Sequence, residues 1–387
     1  QAEDGIRDVE RSRGLGDVYK RQSINMLGGA ERVSLGIVSS LRKLGIYTVL
    51  FTIDKTKWDI VRQQINSFQP PNEELFLVDR PLNRPVLIKK SHVLKYYFRL
   101  LLTPSLHTWL FSRYDLVISS YGEVLTFPYD VVYVNSIPLM IPLNDPEEWM
   151  SELAGFKNVY TKLYRVSNHV ISRKIFITNS KFLARILYDR WRISSLIVHP
   201  PVEPIPGRPI PFEDRKDVVV TVSRIKRGKR LDIIPYIAKY CNAHFIIIGS
   251  SIGSDHDAMA RLQRLIKRLG VENRVKVVLD LPRNEIYRFI RYSKVYLHTM
   301  RNEAFGISIV EAMSAGTVPI VPRSGGPWTD IIGEQDGVYG YSYRGVRDAC
   351  YRVEKLFSDR ALWKELSYLA RRRSKLFRSC LLYTSDA

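Results

Sequence analysis

Between Val198 and Val218 the chain reads His199-Pro200-Pro201-Val202-Glu203-Pro204-Ile205-Pro206-Gly207-Arg208-Pro209-Ile210-Pro211 before turning polar. Proline fixes φ and removes a backbone donor, so neither a helix nor an inner strand can run through such a stretch. Folding has to happen on either side of it. With 387 residues the chain is long for one domain and suited to two, each with its own core. The expected division is an N-terminal domain over 23–199, a linker over 200–217 and a C-terminal domain over 218–378, with tails at 1–22 and 379–387.

The flanking segments alternate between two periods. Val33, Ile37, Val38, Leu41 and Leu44 recur at helical spacing, Gly45 ends that helix, and Tyr47–Ile53 is a β-rich strand. Further strands are expected at Leu116–Ser119, Val131–Val134 and Ile175–Thr178. Beyond the linker they are expected at Val218–Val222, Phe245–Gly249, Val275–Val278, Val295–His298 and Val318–Val321. Helical patterns such as Ala258–Leu269 and Glu285–Ile290 separate most of these. The rhythm is that of doubly wound α/β sheets, two Rossmann-like domains facing a cleft. A strand should precede Gly28, but Ser23–Leu27 is too short for one, so the first strand is expected to be truncated.

Lys plus Arg number 59 against 39 Asp plus Glu, a net charge of +20, which favours anionic partners such as phosphorylated substrates, acidic membrane surfaces or nucleic acid. Cys241, Cys350 and Cys380 are too far apart in sequence for a disulfide framework or a zinc spacing, and a reducing compartment suits them. No apolar run reaches about 18 residues, and no signal peptide is evident. Gln1–Gln22 has no helical or strand period and Ser379–Ala387 reads similarly; within them Asp17–Gln22 and Cys380–Ala387 resemble translated sequencing-adapter remnants, an ordinary disordered terminus being the alternative, so both ends take no part in the fold reading.

The chemistry concentrates in Arg301-Asn302-Glu303-Ala304-Phe305-Gly306-Ile307-Ser308-Ile309-Val310-Glu311. A helix starting near Gly306 and stopping at Gly316 aims its unpaired N–H groups at the loop before it, a ready phosphate site. Glu303 and Glu311 flank that site and can accept hydrogen bonds from hydroxyls. Anion-binding amides between two hydroxyl acceptors suit a nucleotide sugar. Ser223-Arg224-Ile225-Lys226-Arg227-Gly228-Lys229 follows the first strand of the second domain, where ligands of open α/β sheets collect. Fixed cations there can stabilise charge growing on a leaving diphosphate.

Leu297-His298-Thr299-Met300, Asn302-Glu303, Phe305-Gly306-Ile307, Val310-Glu311, Ala315-Gly316-Thr317 and Ser324-Gly325-Gly326-Pro327 together resemble the donor loop of the retaining glycosyltransferases of family 4, which have the GT-B fold. The similarity is strongest to the branch that adds α-1,2-mannose to dolichol-linked oligosaccharides. It implies a metal-independent retaining hexosyltransferase, with GDP-mannose as donor and a lipid-linked or glycan acceptor. It also implies a place at the cytoplasmic face of a membrane, and a C-terminal crossover helix that here is expected to be cut off near Phe377. By carry-over Glu303, Arg224 and Lys229 are catalytic: Glu303 meets the hexose, and the two cations hold the diphosphate. Phe305, Gly306, Ile307, Glu311, Ser324, Gly325, Gly28 and Gly29 line the donor, with Glu311 on the ribose. Asn135, in Tyr133-Val134-Asn135-Ser136-Ile137-Pro138, stands where the family often has an acceptor-side histidine.

Blander readings stand beside several of these. Gly28-Gly29 can be a tight turn, and His298 a packed strand-end residue. Asp255-His256-Asp257 looks like a metal-holding Asp-x-Asp, but its place before a helix favours an N-cap, so no metal is assigned. Aromatics and bases over Lys89–Tyr114 have the composition of an anionic membrane-interface surface or of packed helices. Alternative functions are another GT-B enzyme such as a nucleotide-sugar epimerase or a phosphorylase, a catalytically dead sugar-nucleotide sensor, or a basic nucleic-acid-binding protein suggested by Arg371-Arg372-Arg373. No specific nucleic-acid motif supports the last.

Overall fold

A computed structural model describes residues 24–26, 28–65, 68–78, 114–120, 130–136, 174–251 and 256–378. They divide into two compact units. One runs up to Asn179 and takes in Leu183–Val198; the other holds Ser180–Phe182 and the chain from His199 onward.

In the first unit, β1 (Val49–Asp54) pairs in parallel with β2 (Glu73–Val78). A second parallel sheet has the order β3 (Ile118–Ser119), β4 (Val131–Val134), β5 (Ile175–Thr178), β6 (Leu196–Ile197). The helix Gly29–Lys43 buries Val33, Leu35 and Val38, and Leu35 and Val38 pack with Ile24, Leu50 and Val61. It stops because Gly45 takes φ +78°, which lets Gly45 N–H reach Arg42 O and Ile46 N–H reach Leu41 O. A 3-10 turn over Ile24–Met26, not a strand, stands ahead of Gly28. The Lys89–Arg113 part of the membrane-interface reading lies outside the described residues, as do Asp255 and both tails.

The second unit is a six-stranded parallel sheet made of β7 (Lys216–Val222), β8 (His244–Gly249), β9 (Val275–Leu279), β10 (Ser293–Leu297), β11 (Val318–Pro322) and β12 (Tyr341–Tyr343). Its spatial order is β12-β11-β10-β7-β8-β9. The chain therefore winds outward from β7 to β9, returns to the other side of β7, and winds outward again. Side chains alternate between faces, so β7 sends Val219 into one apolar cluster and Val220 into the other. The first cluster gathers Ile234, Ile237, Leu262, Val353 and Trp363; the second gathers Ile309, Val310, Met313, Ile331 and Phe377. A sheet buried on both faces explains why these strands read as unbroken apolar runs.

Two buried features refine the sequence reading. Arg215 is 5% exposed, and its guanidinium donates to Ile210 O, Ser293 O, Thr317 Oγ1 and Ala315 O while lying over the Trp363 ring. Burial lowers its pKa to about 9, helped by the nearby Arg291 and Arg371 charges. Cys241 and Cys350, 109 residues apart in sequence, meet where the helix Ile233–Tyr240 ends against the helix Val346–Ser358. Of the basic run, Arg373 is taken up by the fold: it donates to Ile331 O and Asp330 O and lies over the Tyr339 and Phe377 rings. No helix among the described residues is long and apolar enough to cross a membrane.

Candidate donor site at the β7–β10 switch point

The strand order reverses between β7 and β10, and loops leaving the carboxyl ends of two such strands diverge to leave a crevice. The loop after β7 carries Ser223–Arg230, and the loop after β10 carries His298–Gly306. The two meet in an ion pair: Lys229 Nζ stands 2.6 Å from Glu303 Oε2, with the side chains 24% and 18% exposed. Lys229 Nζ also lies 3.1 Å from Met300 Sδ, and Thr299 Oγ1 donates to the Lys229 backbone O at 2.7 Å, so side chain and backbone are both tied to the loop after β10.

Burial by itself raises the Glu303 carboxyl. The Lys229 charge, a contribution from His298, and hydrogen bonds from Lys229 and the Ala304 backbone outweigh it and hold the pKa down at about 2. His298, one residue past β10, donates its backbone N–H to Ile320 O and accepts from the Tyr343 hydroxyl. Its ring is buried, with Nε2 3.8 Å from Glu303 Oε2 and without a hydrogen-bond partner among the described residues. Burial depresses the imidazole to about 4; Glu303 opposes that shift and Lys229 adds to it. The ring is thus neutral at physiological pH, and an unpaired polar atom is aimed at an ionised carboxylate.

The Glu303 backbone is fixed by the loop after β11. Gly326 N–H donates to Glu303 O at 2.9 Å, and Ser324 Oγ accepts from Asn302 N–H. A Cβ on Gly326 would stand 2.2 Å from Ala304 O, and one on Gly325, at φ +74°, would stand 2.6 Å from Glu303 O. Only glycine permits this approach. Gly306, at φ +103°, precedes the helix Ile307–Ser314, which ends before Gly316 at φ +80°. The buried Tyr296 hydroxyl, 3.2 Å from Val222 O and 2.8 Å from Ser308 Oγ, ties the first turn of that helix to the end of β7. Its first amides are therefore held at the crevice, as an anion site requires.

The expected residues fall out unevenly. Lys229 and Glu303 are brought together, and Ser324, Gly325 and Gly306 frame them. Glu311 pairs with Arg283 at 3.3 Å, a partner the sequence reading did not name. The Phe305 side chain is in the core against His199 and Phe377. Ile307 is half-buried on the first helical turn. Arg224 is exposed and forms no ion pair among the described residues. Gly28 caps and Gly29 opens the first helix, where a Cβ on Gly28 would meet Glu31 Oε2 at 2.6 Å. Asn135 is a brace: its Nδ2 donates to Ser120 O and its carbonyl accepts from Asn179 Nδ2 at 2.9 Å, linking the ends of β3, β4 and β5. Asp257 lies in the first turn of the helix His256–Arg268, favoured by the helix dipole. His298 was legible only as a strand-end residue; its signal was its position five residues before Glu303.

Residues 208–373 match the family model described as glycosyl transferases group 1. The chain is 24% identical over 238 residues to the GDP-Man:Man(3)GlcNAc(2)-PP-Dol alpha-1,2-mannosyltransferase of Dictyostelium discoideum, covering 56% of this chain and 46% of that protein. It is 28% identical over 202 residues to the human protein of the same name, covering 48% and 41%. The chain thus spans less than half the length of these two relatives. WaaG, a glycosyltransferase involved in lipopolysaccharide biosynthesis, has a similar fold at TM-score 0.64 and 13% identity, over 90% of this chain and 92% of that one. Anabaena Alr3699/HepE in complex with UDP is similar at TM-score 0.63 and 18% identity, over 94% and 96%. These likenesses are of fold, the α/β arrangement of GT-B glycosyltransferases. The segment that matches the glycosyl transferases group 1 model contains the six-stranded sheet together with Lys229, His298, Glu303 and Glu311.

Proposed function

We propose that this chain is a retaining hexosyltransferase that moves mannose from GDP-mannose to a lipid-linked or glycan acceptor, at the cytoplasmic face of a membrane. The observation that carries the reading is the Lys229–Glu303 pair, 2.6 Å apart between the loops of the switch-point strands. The relatives' names, which specify GDP-mannose and a dolichol-linked acceptor, supply the donor and acceptor.

In this reading the diphosphate rests on the first amides of the helix Ile307–Ser314, with Lys229 and Arg224 supplying positive charge. An ammonium has three donors, so Lys229 can keep Glu303 and still reach a phosphate oxygen. As the glycosidic bond to the donor breaks, charge grows on the leaving diphosphate, and preplaced cations and amides stabilise it without reorganising. Glu303, held ionised, accepts from a hexose hydroxyl. The unpaired His298 Nε2, 3.8 Å from that carboxylate, is placed to take the same or the adjoining hydroxyl. Glu311, steadied by Arg283, takes the ribose. The acceptor hydroxyl attacks from the side the diphosphate leaves, and a phosphate oxygen takes its proton, so no separate base is needed. With two side-chain cations on the diphosphate, no step is assigned to a metal.

Thermal stabilisation of the full chain by a panel of nucleoside diphosphates and their sugars tests this. GDP and GDP-mannose should stabilise most. Glu303→Gln should retain GDP binding and lose mannose transfer, while Lys229→Ala should weaken GDP binding itself. Indifference to every nucleotide in the panel would sink the proposal.

A further inference from the structure

Away from the switch point, the helix Ile233–Tyr240 ends at Cys241, whose thiol is fully buried. The helix Val346–Ser358 packs beside it and carries Cys350 and Glu354. Four residues apart, these two lie on one helical face, a spacing that lets both side chains reach a single point. One ligand atom from each of Cys241, Cys350 and Glu354 lies within 4.8 Å of the others. Cys350 is almost buried, whereas Glu354 is exposed and accepts from Asn242 N–H at 3.4 Å, so the cluster has one side open to solvent.

Two sulfurs and one carboxylate oxygen are a soft donor set. Sulfur ligands favour zinc and its heavier relatives over magnesium or calcium, which take oxygen. We propose that Cys241, Cys350 and Glu354 form a binding site for one thiophilic divalent cation of the zinc or cadmium class, with a water in the fourth position. Metal–sulfur bonds of about 2.3 Å in a tetrahedron put the two sulfurs about 3.8 Å apart, so the side chains need shift by only about 1 Å. Two thiolates and a carboxylate around a dication leave one net negative charge. Arg274 supplies the compensation nearby: its guanidinium donates to Cys241 O at 3.2 Å and favours the Cys241 thiolate. Without metal, burial raises both thiols and keeps them protonated, so binding must release their protons. The site clamps the end of one helix to the face of another, and it does not depend on the transferase reading.

The test uses the full chain carrying Cys380→Ser, so that the third thiol contributes nothing, stripped of metal under a non-thiol reductant. Titration with Cd2+ and with Zn2+ should show one ion bound per chain, about two protons released per ion, and a raised Tm. Cd2+ should also give the ultraviolet thiolate-to-metal charge-transfer band. Glu354→Gln should weaken affinity at least about tenfold, and Cys350→Ala should remove the band. Absence of the band, its survival in Cys350→Ala, or unchanged affinity in Glu354→Gln would overturn the proposal. If Cys350→Ala does not fold, alkylation of the parent decides: Cd2+ should shield both thiols, and equal labelling with and without Cd2+ refutes the site.

Discussion

Replacing Lys229 by Met removes the ammonium that keeps Glu303 ionised while leaving most of the packing surface of the side chain. The Glu303 carboxyl falls from an ordinary 4.5 to about 2 against the opposing effect of burial. At about 1.4 kcal/mol per unit, that depression corresponds to ~3 kcal/mol of differential stabilisation. Its sign is fixed: a depressed carboxyl contributes stability above pH 4.5 and loses it as the pH falls toward 2. Lys229→Met should therefore cost ~3 kcal/mol at pH 7, because breaking a buried pair strands the remaining charge. Adding Glu303→Gln should recover ~2 kcal/mol, since a neutral amide needs no counter-charge. Denaturant unfolding of the four proteins in the cycle at pH 7 reads the coupling directly. If the double variant is as unstable as Lys229→Met alone, the pair does not set the energetics of the site and the argument fails. Nucleotide binding supplies the second axis. The double variant should regain stability without regaining affinity for GDP, since the cation itself is still missing.

The acid response should divide between two groups. The fold favours neutral His298, so its contribution is complete above pH 6.5 and is lost as the pH falls through about 4. His298→Asn should flatten the profile of stability against pH over that window, and an unchanged slope would remove His298 from the account. Arg215→Met strands Ser293 O, Ala315 O and Ile210 O in the interior. It should cost at least ~3 kcal/mol by chemical denaturation, and Arg215→Lys should recover little because an ammonium cannot reproduce the planar fork. Gly326→Ala sets a Cβ against the Ala304 carbonyl and must move the Glu303 loop. The proposed mannose transfer should fall at least about tenfold while the unfolding free energy drops by only about 1–3 kcal/mol.

Strands were legible wherever β-branched runs were bounded by polar residues: Val131–Val134 and Ile175–Thr178 are as read. Ends shifted where sheet pairing, not composition, decides them. Val295–His298 became Ser293–Leu297 because Ser293 pairs with Lys216 and the ladder then slips before Val295. The helix Ile307–Ser314 was legible from its flanking glycines, since Gly306 and Gly316 both take positive φ. Pairings that depend on strand order were not legible. Lys229 and Glu303 are 74 residues apart and meet only because β10 returns beside β7. Arg283–Glu311 and Cys241–Cys350 depend likewise on which helices share a face of the sheet. Asn135 was read for chemistry because its neighbours are aligned with a motif. Its Nδ2 and backbone carbonyl brace three strand ends, a role that no motif announced.

That return of β10 to β7 also explains why a cation and an anion can stand preformed and partly buried side by side. Either charge alone would carry a desolvation cost that burial of its neighbours does not offset. Delivered on adjacent loops, each is the other's counter-ion before any ligand arrives. Proton titration is then pushed to the edges: the carboxylate stays ionised well below neutrality, and the imidazole beside it stays neutral. The site consequently keeps one protonation state across the physiological range, with an unpaired imidazole nitrogen and a charged carboxylate oxygen 3.8 Å apart. A single hydroxyl can bridge such a gap, donating to the carboxylate while accepting from the ring in the tautomer whose proton is on Nε2. A sugar hydroxyl can do so with its single hydrogen. Selectivity for a hydroxylated ligand would then arise from the hydrogen bonds that His298 Nε2 and Glu303 offer together, and a deoxy-sugar nucleotide lacking the bridging hydroxyl should bind equally to the parent and to His298→Asn, whereas the intact donor should distinguish them.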